Sequence, residues 1–245
     1  MDRHLHQEQM NKSLILVSLM FLIVCLSFRG ISEKRDINVS IYPTFNNEKL
    51  ILNTHQYITA QKDTLSITTF KFYISNITLE FEDGTIYKES KSQHLIDLEI
   101  EKKLKFQLKD ISNKNISKVM FTIGIDSLTN VSGNLEGDLD PAFGMYWAWN
   151  SGYINMKLEG KSSSCTSLKK NFQYHIGGYL PKQNASQMIT LHINRKNAPI
   201  VIQTDVAKWL NKVALKDTPS IMIPGPKAIA MSNWYKEMFS LYDEE

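Results

Sequence analysis

The stretch "LSITTFKFYISNITLEF", Leu65 to Phe81, decides the fold class. Apolar side chains recur at close to every second position, β-branched and aromatic residues dominate, and neither Gly nor Pro interrupts it. A period of two puts one set of side chains on a buried face and the other on an exposed one, as in a half-buried strand. The stretch is longer than an ordinary strand, so it reads as one long strand or a bent pair. The same period runs through "INVSIYPTF" (37–45), "HLIDLEIE" (94–101), "KLKFQLK" (103–109), "KVMFTIGID" (118–126), "YINMKLEG" (153–160), "NFQYHIGG" (171–178), "MITLHIN" (188–194) and "PIVIQTDV" (199–206). Turn residues separate the segments: Glu82-Asp83-Gly84, Ser112-Asn113, Gly133-Asn134, Gly177-Gly178 and Arg195-Lys196-Asn197. The pattern predicts an all-β chain, an antiparallel β-sandwich of about 8–10 strands around one core.

Two segments depart from it. "DVAKWLNKV" (205–213) opens on Asp205, an N-cap residue, and places Val206, Trp209, Leu210 and Val213 on one helical face. "AIAMSNWYKEMFSLY" (228–242) carries Trp234, Met238 and Tyr242 at steps of four. Both read as short helices plugging an end of the sandwich, with the two tryptophans as packing residues.

Hydrophobic residues make up 42% of the 245, enough for a sizeable core, which excludes a globally disordered chain. The formal charge is only +3 and no Lys/Arg block occurs, so the composition gives no sign of nucleic-acid binding. Near the N-terminus "SLILVSLMFLIVCLSF" (13–28) is an apolar run closed by Arg29-Gly30. It is shorter than the roughly 20 residues a spanning helix prefers and lies where an export signal lies. Residues 1–29 therefore read as a signal peptide or an uncleaved membrane anchor, and 30–245 as one exported domain, periplasmic or at the cell surface. Cys25 lies in the run, but Val24 before it is bulkier than a lipoprotein signal accepts. Cys165 is then the one mature cysteine and has no internal disulfide partner.

Chemistry-bearing residues concentrate in two places. "GDLDPAFGMYWAWNSGYINMKLEG" (137–160) sets Trp147 and Trp149 two apart, so that with Met145 they share a face of an extended segment. Such a face is core, or a platform for a sugar, a cation or a soft metal. His175 and His192 lie on the polar faces of their segments. If those segments formed a hairpin centred near Gln183-Asn184, the two imidazoles would stand opposed, close enough to share a metal. Glu136, Asp138 and Asp140 alternate but lack the full pattern of a calcium loop. No nucleophile elbow, phosphate loop, HExxH or CxxC motif is present, and the expectation is a protein without catalytic activity.

"FKFYISNITLEFEDG", "FTIGIDSLTNVSG", "LDPAFGMYWAWNSGYINMKLEG" and "FQYHIGGY", in this order over residues 70–179, resemble the MbnP-like domain family, named after a methanobactin-associated protein. The resemblance implies an exported β-sandwich that binds copper for handling or storage, with a metal ion or copper carrier as its partner. Carried over by position, it makes His175 a ligand, assisted by His192 or Met145, with Trp147 or Trp149 as wall or oxidised ligand. Two positions depart from copper-binding members: Val131 stands where they carry a histidine, and the chain closes on "SLYDEE" rather than a His-x-His tail. The alternative is a cell-surface module that binds a protein or glycan without metal.

Overall fold

The computed structural model describes residues 33–133, 135–193 and 199–242, so the expected export segment and Cys25 lie outside the described residues. The strands are Lys34–Phe45 (β1), Glu48–Lys49 (β2), Tyr57–Ile58 (β3), Thr64–Phe81 (β4), Ile86–Lys88 (β5), Gln93–Asp97 (β6), Lys105–Ser112 (β7), Ile116–Ile123 (β8), Tyr146–Trp147 (β9), Gly152–Ser162 (β10), Asn171–Gly177 (β11), Gln187–His192 (β12), Ile200–Asp205 (β13), Ser220–Ile221 (β14) and Phe239–Leu241 (β15). One sheet joins β1 to β2, β7 and β13, and β13 to β15; the rest form the second sheet around β4. Among the described residues no helix is long and apolar enough to cross a membrane.

The stretch 65–81 is one strand, and its apolar pattern carries its geometry. Positions that enter the main core step by two from Leu65 to Ile67, by three to Phe70, by two to Phe72 and Ile74, by three to Ile77, then by two to Leu79 and Phe81. Each step of three coincides with a register shift: opposite β10 between Glu159 and Gly160, and opposite β8 between Ser75 and Thr78. An extra residue at each bulge keeps the apolar set on the inner face while the strand bends. Asn76, at the second bulge, takes the left-handed conformation (φ 54°) that asparagine tolerates.

The core lies between the sheets. Val39, Ile41, Ile200 and Ile202 from one layer meet Phe70, Phe72, Phe121 and Leu158 from the other. Phe239 of β15 spans them, its ring edge-on to Phe72 at 5.7 Å and to Phe121 at 5.8 Å. Most pairings are antiparallel, but β1–β13 and β11–β14 are parallel. The first expected helix is only Ala207–Leu210 and its N-cap is Val206 rather than Asp205, although Asp205 Oδ1 accepts the Ala207 amide; Trp209 is the packing residue expected, fully buried against Tyr174 and Tyr235, both at 5.6 Å. The second helix is shorter than its pattern suggested. Helix Pro226–Tyr235 gives way to a 3-10 turn and then to β15, whose Phe239 and Leu241 pair with Thr204 and Ile202. Pairing with β13 outweighs the helical spacing there. Cys165 is fully buried, and burial pushes its thiol above the ordinary range.

Candidate functional site

The outer face of the second sheet carries the residues that the sequence singled out. Where Phe72, Met156 and Ile176 point into the core, their neighbours Lys71, Lys157 and His175 point outward. Pairing across four strands sets them in one row: Asp97 of β6 faces Lys71 of β4, Lys71 faces Lys157 of β10, and Lys157 faces His175 of β11. Lys71 Nζ contacts Asp97 at 3.0 Å and Glu99 at 2.8 Å. Burial lowers the affinity of that ammonium for its proton, but the two carboxylates outweigh it and the net shift is upward. His175 Nε2 lies 2.6 Å from Glu159 Oε1, with Lys157 Nζ at 3.9 Å from the same oxygen. The hydrogen bond to His175 is the largest influence on Glu159 and holds its carboxyl below the usual range, against the opposing effect of burial.

That depression fixes a pH dependence. The stability that Glu159 gains is complete above the ordinary carboxylate value of 4.5 and is lost as pH falls through its lowered folded value. Thermal melting from pH 7 to pH 3 is expected to show wild type losing more than Glu159→Gln, the two curves converging at the acid end; a gap that stays constant would exclude the pair as the cause.

Beside the charged row lies a second, smaller core. Tyr73, Leu95, Ile125, Leu139, Met145, Trp147, Tyr153 and Ile154 are buried together under the segment that connects β8 to β10. Tyr73 and Tyr153 pack edge-on at 5.6 Å and donate their hydroxyls to the Asp138 and Leu139 carbonyls. Burial keeps both phenols protonated far above the ordinary range, Tyr153 up to about 12. Asn130 pins the short helix Ser127–Val131 to β10: its amide donates to the Ile125 and Asp126 carbonyls, and its Oδ1 accepts the Tyr153 N–H.

The two tryptophans separate here. Trp147 is 6% exposed, and its ring lies so close over Gly177 that a Cβ there would stand 2.8 Å from it. Trp149, at the turn after β9, is 64% exposed and tilted against Trp147 at 5.8 Å. Gly177 is two residues beyond His175 on the same strand face, so Met145, Trp147 and His175 share one side of the sheet.

His192 does not join them. The expected β11–β12 hairpin is absent because both edges of β11 are occupied, by β10 and by β14. His192 of β12 instead faces Lys118 of β8, which faces Glu80 of β4. The two histidine rows meet β4 at Lys71 and Glu80, separated by about 30 Å of strand contour. His192 is exposed. The acidic triplet also disperses: Asp138 binds Lys103 Nζ at 2.6 Å and the Leu95 amide at 2.8 Å, Asp140 caps Ala142, and Glu136 is exposed. No group of three His, Cys, Asp or Glu side chains able to hold a metal occurs among the described residues. Copper fits this set poorly: beside Met145 and Trp147 stands a single imidazole, that of His175, with the Lys157 ammonium opposite it, and His192 lies in a distant row. Sequence reasoning missed Lys157 and Glu159. Their alternation in "NMKLEG" marks an outward face, but only the pairing shows what they face.

A two-layer β-sandwich whose outer face carries a second aromatic core under a long connection is the frame of this molecule. The chain belongs to the MbnP family, whose profile matches residues 34–223. Among solved structures it is similar to MbnP from Methylosinus trichosporium, at 10% identity over 80% of this chain and 82% of that one, with a TM-score of 0.56, a likeness of fold. No curated protein sequence matches the chain.

Proposed function

We propose that this MbnP-family chain acts outside the cytoplasm as a non-catalytic binding protein and that its contact is made by the aromatic turn after β9 with a protein partner. The export reading rests on the apolar run 13–28. The contact reading is carried by one observation: Trp149 is 64% exposed while every other tryptophan is at least partly buried. An exposed indole beside apolar neighbours is the kind of residue that dominates protein interfaces. Leu128 and Val131 on the neighbouring short helix are 77% and 65% exposed. That helix and the turn are tied together, since Asn130 holds the Tyr153 amide next to Gly152, where the turn closes. The exposed aliphatic side chains of Leu128 and Val131, for which a sugar offers little apolar surface, favour a protein over a glycan.

A photo-crosslinker placed at 149 in the native cell envelope is expected to give one discrete protein adduct, lost when Leu128 and Val131 are changed to serine. No adduct, or the same adduct from a crosslinker at exposed Lys88, would sink the reading.

The copper reading has one observation in its favour, the shared face of Met145, Trp147 and His175. Titration against a competing Cu(I) chelator separates the two. The crosslinking reading expects no stoichiometric copper. Copper held one to one by wild type and released by His175→Ala would establish the metal role instead, and an oxidised Trp147 in the mapped peptide would supply the ligand that intact indole lacks.

A further inference from the structure

A cleft of about 330 Å³ opens along β6, its lining including His94, Lys102, Lys105, Phe106 and Asp138. Its construction is specific. Buried Leu95 and Ile96 belong to β6, and the Asp138 carboxylate accepts the Leu95 amide. His94 lies flat on Phe106, ring centroids 4.0 Å apart and planes 13° apart, and Glu89 holds its Nε2 at 2.9–3.0 Å. The 3-10 turn Glu101–Leu104 and the start of β7 bring three lysines to the cleft. Lys103 is spent internally, on Asp138 at 2.6 Å and over the Phe143 ring at 4.1 Å. Lys102 and Lys105 are exposed and have no carboxylate partner among the described residues. By contrast Lys71, Lys118 and Lys157, on the outer face of the second sheet, each have a carboxylate.

With Asp138 neutralised by Lys103, the cleft keeps two uncompensated ammonium groups beside apolar and aromatic wall. Its volume is at the lower end of small-ligand sites. Ammonium groups draw an anion, and an aromatic wall adds contact for a ring. We propose that this cleft binds a small aromatic anion, a ring bearing a carboxylate or phosphate, through Lys102 and Lys105 with the ring against the Phe106–His94 wall.

The test uses the full chain, in mild detergent for its apolar N-terminal run, with phenyl phosphate, benzoate and inorganic phosphate as probes. Calorimetry with amide-shift mapping is expected to show saturable binding of a ring-bearing anion, at least about tenfold tighter than inorganic phosphate. The mapped amides are 94–96 and 102–106. Which of phenyl phosphate and benzoate binds more tightly tells phosphate from carboxylate. The double variant Lys102→Ala/Lys105→Ala, which changes only exposed side chains, is expected to weaken binding by at least about tenfold while leaving the melting temperature in place. Phe106→Leu is expected to reduce the preference for the ring and spare inorganic phosphate. Absence of saturation by about 10 mM, shifts mapped elsewhere, or a double variant that binds like wild type would each overturn the proposal.

Discussion

Changing Trp147 to alanine is expected to cost about 3–5 kcal/mol of folding free energy, whereas Trp149→Ala is expected to stay within about 0.5 kcal/mol. The two indoles are two residues apart and look equivalent in the sequence. Only Trp147 reaches the second core, where it packs with Met145, Tyr153 and Ile154 and covers Gly177. Removing it deletes a large buried surface and leaves a cavity against a strand that cannot collapse, because β11 is held by β10 and β14. Trp149 loses little on truncation because most of its surface already meets water. Urea unfolding of the two variants measures the contrast. Equal losses would mean that the connecting segment packs differently from the arrangement described.

Gly160→Ala is the second large effect, at least about 3 kcal/mol. A Cβ at 160 would stand 2.2 Å from the Ser66 carbonyl oxygen and 2.3 Å from the Phe172 ring. The carbonyl is backbone of β4 at its first bulge, where Gly160 pairs with Ile67, so it cannot swing aside without opening the β4–β10 pairing. Phe172 is fully buried and has no free volume to move into. Thermal unfolding of Gly160→Ala and of Gly160→Ala/Phe172→Leu tests the cause. The double variant is expected to recover only part of the loss, because the ring can be shortened and the carbonyl cannot. Full recovery would place the whole clash on the ring.

These two cases show what was legible. The period-two pattern identified the long strands from β1 to β13 and the buried face of each, because burial acts on every second side chain regardless of partner. The bulges in β4 were written in its two three-residue steps, although they take on meaning only once β10 and β8 are seen to shift register at the same places. Alternation put Trp147 and Trp149 on one face of an extended segment, but the strand ends at Trp147 and the turn that follows carries Trp149 out to solvent. The supposed His175–His192 pair failed for a related reason. Two consecutive strands with opposed histidines make a plausible hairpin, and nothing local announces that Ser220–Ile221 takes the remaining edge of β11.

The sequence by itself determined the all-β class, the buried side of each long strand and family membership, since these follow from side-chain periodicity and motif order along the chain. Tertiary structure alone decided strand partners: the parallel β1–β13 pair, the row Asp97–Lys71–Lys157–His175, and the lysine cleft beside β6. The physical reason is that backbone hydrogen bonds are alike at every residue. A strand's own pattern fixes which face it buries, while its neighbour is chosen by closing the whole sandwich around one core.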